Sequence, residues 1–203
     1  TETEEIPVTD YQDEFVAQTR DYKINMSWHA IYATSGNDTF DEVVNGTGTM
    51  SIICPTWFTL SDNDGNYRSF ASSGYVEKAH SRNMEVWPTV DNFNIEGIKT
   101  YEVMSYTSKR DRLVSALMSE ALSLGIDGFN LDFELVPTEA VPHYVQFIRE
   151  LSVACRREGL VLSVDNYPPQ GGSNYNLSEQ GVFCDYVVIM GYDEHWAGCD
   201  EAG

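Results

Sequence analysis

Positive charge is what this chain has least of: 12 lysines and arginines stand against 32 aspartates and glutamates, for a formal charge of −20. A surface of that sign repels phosphate backbones and anionic headgroups, which argues against nucleic acid and membrane surfaces as partners. A neutral polymer such as a glycan meets no such repulsion. Long apolar runs are missing as well. None approaches the ~20 residues that span a bilayer, so membrane insertion is not expected. No secretory leader is visible, because the chain opens on the acidic, Thr-rich stretch TETEEIPVTD. Residues 1–20 read as an acidic linker or extension, compatible with a processed signal or an upstream domain outside this segment. Cys54, Cys155, Cys184 and Cys199 show neither CxxC nor Cys/His ligand spacing, so no zinc site is expected. Cys54 and Cys155 fall in apolar periodic segments and read as small core residues. A Cys184–Cys199 disulfide stays open, and with it the redox compartment.

What remains is the composition of a folded protein, 42% hydrophobic and 22% charged, with length for one substantial core. Short β-rich segments recur at 24–31, 49–57, 84–91, 126–134, 160–167 and 185–193, the spacing of one strand plus a crossover. Helical periodicity fills several of the gaps. Leu113, Val114, Leu117, Ala121 and Leu122 form a stripe after Thr107 that Gly125 ends. Tyr144, Val145, Ile148, Leu151 and Cys155 form another, starting near Thr138 and ending at Gly159. A shorter helix covers roughly 74–82, and residues 31–48 read as an irregular crossover. Alternating strands and helices imply a parallel sheet, whose strands should be almost wholly apolar. Several break that rule near their C-terminal ends, where a parallel barrel carries its active site. There stand Trp28 and His29, Trp57, Trp87 and Asp91, Asp132 and Glu134, Asp165 and Asn166, and Tyr192 and Asp193. Trp28, Trp57, Trp87 and Trp196 would together offer flat rings for stacking on sugars, with Asn166 as a polar contact.

The richest segment is Asp127-Gly128-Phe129-Asn130-Leu131-Asp132-Phe133-Glu134. Strand alternation sends Phe129, Leu131 and Phe133 to one face and Asn130, Asp132 and Glu134 to the other. If the apolar trio packs beneath helices, the polar trio points into the barrel, where an uncompensated ion costs several kcal/mol. Two acids kept there imply a chemical site. Glu134, with the longer reach and nearest the rim, is the better general acid. Asp132 is expected to stay ionised, held by the Asn130 amide. Gly128 and the strict alternation with large apolar residues fit a buried strand better than a calcium loop, and a solvated strand face would need an exposed parallel strand.

These residues resemble glycoside hydrolase family 18, the chitinase-like enzymes. Asp127, Gly128, Asp132 and Glu134 match the family's DGxDxDxE signature, with Asn130 in place of the middle Asp. Met190-Gly191-Tyr192-Asp193 matches its MxYD signature. The stretches CPTWF, YVEKAHSRNMEVWP and MGYDEHW look like the bacterial branch of spore-cortex and cell-wall glucosaminidases. The resemblance implies a (β/α)8 barrel of the TIM type over residues 21–203, truncated after the sixth strand, since such barrels typically need about 250 residues. Unpaired edges would then invite self-association, and the piece alone is expected to have little activity.

It also implies retaining, substrate-assisted hydrolysis at N-acetylglucosamine in peptidoglycan or chitin-type glycans, with no metal or organic cofactor. Glu134 would protonate the glycosidic oxygen, Asp132 would bind the acetamido N–H, and Tyr192 would position the acetamido carbonyl. Asp193 and Met190 would support the site, and Asp127 would act structurally at the strand's start. Asn130 predicts an altered pH dependence. The partner would be an N-acetylated amino-sugar polymer or oligomer, and the location extracellular or cell-wall and spore associated. The rival readings are a non-catalytic glycan-binding module on the same fold and a structural, partner-binding domain. An intact Glu134 argues against the first.

Overall fold

A computed structural model describes residues 16–93, 97–168 and 175–191, and the statements below concern these. Strand β1 spans Met26–His29, β2 Ile52–Pro55, β3 Phe58–Leu60, β4 Tyr67–Ser69, β5 Glu85–Val86, β6 Thr89–Asp91, β7 Gly128–Asp132, β8 Val161–Asn166 and β9 Tyr186–Ile189. Two pairs are single strands broken in the middle, β2 with β3 at Thr56–Trp57 and β5 with β6 at Trp87–Pro88. Counted so, six strands run parallel in chain order, linked β1-β2-β5 on one side and β3-β6-β7-β8-β9 on the other. Sequential parallel order is that of a barrel wall, as the sequence led us to expect. The antiparallel β4, paired to β3, was not foreseen.

The helices lie where the periodicity put them. Helix α2 covers Ser73–Ser81, α4 Thr107–Leu124 and α5 Val141–Arg157, the last preceded by a 3-10 turn at Thr138–Ala140. Ser72 caps α2 by accepting from Tyr75 N, and Gly125 ends α4 in the left-handed region at φ 69°. The crossover over 31–48 is less irregular than expected. It holds a 3-10 helix, Thr34–Thr39, and the short α1, Phe40–Asn45, whose few residues carry too little periodicity to read. Helices α3 (Thr100–Met104) and α6 (Leu177–Phe183) escaped notice for the same reason. No helix among the described residues is long and apolar enough to cross a membrane.

One core lies between strands and helices, where Phe129, Leu131 and Phe133 pack with Leu113, Leu117, Tyr144, Phe147, Ile148 and Leu151. A second, smaller cluster of Ile52, Cys54, Trp87 and Val161 fills the lower barrel interior. Gly128 permits this filling. A Cβ there would lie 2.6 Å from Val161 O and 3.1 Å from Trp87 Cδ1, so no larger residue fits without moving the backbone. Residues 16–20, part of the stretch read as a linker, lie against the barrel base. Gln18 N donates to Asp185 Oδ1 at 2.7 Å, and Arg20 forms a two-pronged pair with Glu85 at 2.6 and 2.7 Å.

Candidate active site

The ladder builds the site in two storeys. Thr89 pairs with Asn130, and Asn130 with Ser163, which sets one polar row across β6, β7 and β8. Two residues on, Asp91 pairs with Asp132. The pairing of Leu131 with Val164 brings Asp132 and Asp165 level on the same inward face. Val90, Leu131 and Val164 occupy the helix-facing core, so strand alternation turns their neighbours into the barrel.

Asn130 is wholly buried and satisfied. Its Nδ2 donates to Ser163 Oγ at 3.0 Å and to Asp165 Oδ1 at 2.9 Å, while its Oδ1 accepts from Trp28 Nε1 at 2.8 Å. The expected Asn130–Asp132 contact is therefore corrected: the amide serves the next strand. Asp132 Oδ1 is buried with no hydrogen-bond partner among the described residues. Burial first, then the charges of Asp165, Glu134 and Asp91, push the Asp132 carboxyl up to about 8. The raised carboxyl runs against the expectation that Asp132 stays ionised in the free protein. Asp91, Asp165 and Glu134 all bear on Asp132, and the hydrogen bond meant to hold its charge goes to Asp165 instead. Burial also raises Asp165 to about 7, against the opposing hydrogen bond from Asn130 and the nearby Trp28 indole, with Glu134 adding to the rise. Asp91 rises to about 6 through burial, opposed by Phe93 N and the Thr59 hydroxyl.

Glu134 follows the end of β7 on the same inward parity. Its backbone N donates to Asn92 Oδ1 at 3.0 Å, and its carbonyl accepts from Asn92 Nδ2 at 2.9 Å. Its Oε2 accepts from Tyr167 Oη at 2.5 Å. The acid lines a cavity of about 730 Å³ together with Asn92, Phe93, Lys99, Tyr101 and Leu135. Asp127 stands at the other end of the strand, its Oδ2 accepting from Val86 N at 2.8 Å and lying 2.9 Å from His80 Nε2. Met190 is buried beside the end of β8, its N donating to Asn166 O at 2.8 Å. Tyr192, Asp193, Trp196 and Cys199 lie outside the described residues.

The aromatic rim needs correcting. Trp28 faces the interior and is 39% exposed. Trp57 is fully buried, donating from Nε1 to Asn37 Oδ1 at 2.8 Å and meeting Tyr75 edge-on. The break between β2 and β3 is the cause: Trp57 N bonds back to Pro55 O, and Trp57 and Phe58 both join the helix-facing core. Trp87, 1% exposed, fills the lower barrel interior against Tyr186 and donates to Glu85 Oε2 at 2.9 Å. Neither ring can stack on a ligand at the rim. Asn166 is also corrected. It shares parity with Leu162 and Val164, and its Nδ2 donates to Gln180 Oε1 at 2.7 Å on α6.

Asp165 is the inward residue of that strand end. Counting back from the apolar Leu162 and Val164 would have identified it. Tyr167 shares the parity of Ser163 and Asp165 and could have been read the same way, whereas Asn92 carried no such signal, since it lies in the connection beyond β6. Among the described residues no group of three His, Cys, Asp or Glu is placed to hold a metal ion.

Comparison with known proteins agrees with this arrangement. The family model described as "Glycosyl hydrolases family 18" matches residues 13–203. The uncharacterized glycosylase YvbX of Bacillus subtilis is 24% identical over 176 residues, covering 81% of this chain and 51% of that protein. The spore cortex-lytic enzyme SleL of Bacillus cereus superposes with a TM-score of 0.71 at 18% identity, over 89% of this chain and 43% of SleL. A family 18 chitinase from Cycas revoluta, solved in complex with (GlcNAc)4, gives 0.69 at 17% identity, over 89% of this chain and 58% of the enzyme. The chain thus spans about half the length of the relatives it matches.

Proposed function

Because this chain belongs to the glycosyl hydrolases of family 18, we propose that it carries the acid face of a retaining, substrate-assisted site that cleaves β-linkages at N-acetylglucosamine. The observation that carries this reading is the buried Oδ1 of Asp132, which has no hydrogen-bond partner among the described residues, two residues before Glu134, which lines a cavity. A buried carboxylate oxygen without a donor calls for one from the ligand. The N–H of a 2-acetamido group supplies it, and in doing so favours the charged form of Asp132. That charge then stands beside the positive centre developing as the acetamido oxygen attacks the anomeric carbon. Glu134 delivers its proton to the departing glycosidic oxygen and afterwards takes one from the water that opens the cyclic intermediate. Tyr192 and Asp193 follow Gly191 directly in the sequence. In this reading Tyr192 fixes the acetamido carbonyl, Asp193 binds sugar hydroxyls, and Trp28 offers its partly open face.

Peptidoglycan and chitin-type glycans both present the required sugar. The likeness to a spore cortex-lytic enzyme favours the cell wall, and with it an extracellular or spore-associated location. The test is hydrolysis of chitooligosaccharides and peptidoglycan fragments by the full protein that contains this chain. We expect products that first appear with retained β configuration by NMR, and a loss of at least about 100-fold in turnover for Glu134→Gln with binding preserved. Undiminished turnover in that variant, or inverted first products, would sink the mechanism. Binding without turnover in the unmutated protein would return the glycan-binding module.

A further inference from the structure

Glu134 is gripped at two places by residues from neighbouring strand ends. Asn92, just past β6, brackets its backbone, accepting from the N–H and donating to the carbonyl. The chain then turns sharply. Leu135 adopts a left-handed φ of 50° and is 84% exposed, a conformation that is strained for any residue with a side chain. No local preference of Leu135 favours that turn, and the pair of Asn92 bonds offsets its cost. Asn92 is itself held, its Nδ2 donating also to Thr100 Oγ1 at 2.9 Å.

The side chain is gripped from the opposite flank. Tyr167 follows β8 with the inward parity of Ser163 and Asp165, and its hydroxyl donates to Glu134 Oε2 at 2.5 Å. The ring leans on Tyr175 at 6.5 Å between centroids, and the Tyr175 hydroxyl accepts from Val136 N, so Tyr175 meets the backbone after the acid while Tyr167 alone holds its carboxyl. Oε1 has no partner among the described residues. A carboxyl group has two oxygens that can carry the proton, and a donor fixed on one reserves the other.

We propose that Tyr167 is a positioning residue for the proton donor: by occupying Oε2 it fixes the carboxyl rotation of Glu134 and assigns delivery of the proton to Oε1. This rests on the glycosidase reading, with Glu134 as acid. Its chemical consequence is specific. Protonation matters for a leaving group that departs as a poorly stabilised alkoxide, as a sugar does. It matters little for one that leaves readily as a stabilised phenolate. A misaligned acid therefore damages the first class of substrate selectively, whereas general structural damage lowers both.

The experiment compares Tyr167→Phe with the unmutated full protein on chitooligosaccharides and on a dinitrophenyl chitobioside. We expect kcat on the oligosaccharide to fall about 10- to 100-fold with KM within about twofold, and the aryl substrate to change by less than about threefold. Glu134→Gln defines the extreme of the same pattern. A second measurement needs no turnover: the side-chain carboxyl 13C resonance of Glu134 should move in Tyr167→Phe and hold still in Tyr175→Phe. Equal losses on both substrates, no loss on either, or an unmoved Glu134 resonance would overturn the assignment. If the unmutated protein cleaves neither substrate, the parent glycosidase reading has failed instead.

Discussion

Asp132 and Asp165 show how three strands can hold acids that no single strand would keep. Each carboxyl is raised mainly by burial, and each feels the charge of another acid in the same interior. The effect on stability has a definite sign. An unfolded aspartate loses its proton near pH 4, while folded Asp132 keeps its own up to about 8. Between those values the folded state binds the extra proton, so stability falls as pH rises through the window and the slope ends above it. Asp132→Asn should flatten the decline of Tm between pH 5 and 8, measured by calorimetry. Asn130→Asp should steepen it, since the new carboxylate would face Asp165 in place of an amide donor. The exchange Asn130→Asp with Asp165→Asn should bring the slope back toward the parent's. A double variant as steep as the single one would refute the cross-strand pairing.

Elements in this chain are placed by what they bury, and β7 is the clearest instance. Its outward face sinks Phe129, Leu131 and Phe133 beneath α4 and α5, which leaves Asn130, Asp132 and Glu134 no orientation but inward. Gly128 opens the strand because Val161 and Trp87 already fill the space a side chain would need. Gly128→Ala should therefore destabilise the fold by about 1–3 kcal/mol through overpacking, seen as a lower urea midpoint with unchanged slope. Trp87→Phe should recover little of that loss, because the tightest contact is with the Val161 backbone O at 2.6 Å. A neutral Gly128→Ala would mean the lower interior is looser than the contacts indicate.

Taken whole, the molecule is strongly anionic, and its ion pairs are mostly partly exposed, as between Lys78 and Asp41 or Arg149 and Glu179. Such pairs contribute little individually, while repulsion summed over a charge of −20 opposes compactness. Salt should on balance stabilise the protein. We expect Tm to rise by several degrees between about 0.01 and 0.5 M sodium chloride, as the screening length falls from roughly 30 Å to under 5 Å. A fall in Tm over that range would show that the ion pairs, including Arg20–Glu85 at the barrel base, outweigh the repulsion.

Period and spacing by themselves determined the six strands, the three longer helices and the inward side of the acid strand. Each of these follows from local geometry: alternation in an extended chain, a 3.6-residue turn, an apolar face that must be covered. The break at Thr56–Trp57, the partner of Asn130, the upward shift of the Asp132 carboxyl and the grip of Tyr167 on Glu134 were decided only by the tertiary structure. All four depend on which side chains arrive from elements distant in sequence. Trp57 and Trp87 make the point most plainly, since a tryptophan at a strand end is a sugar platform or a core filler according to a bulge, a neighbouring glycine and the space already taken.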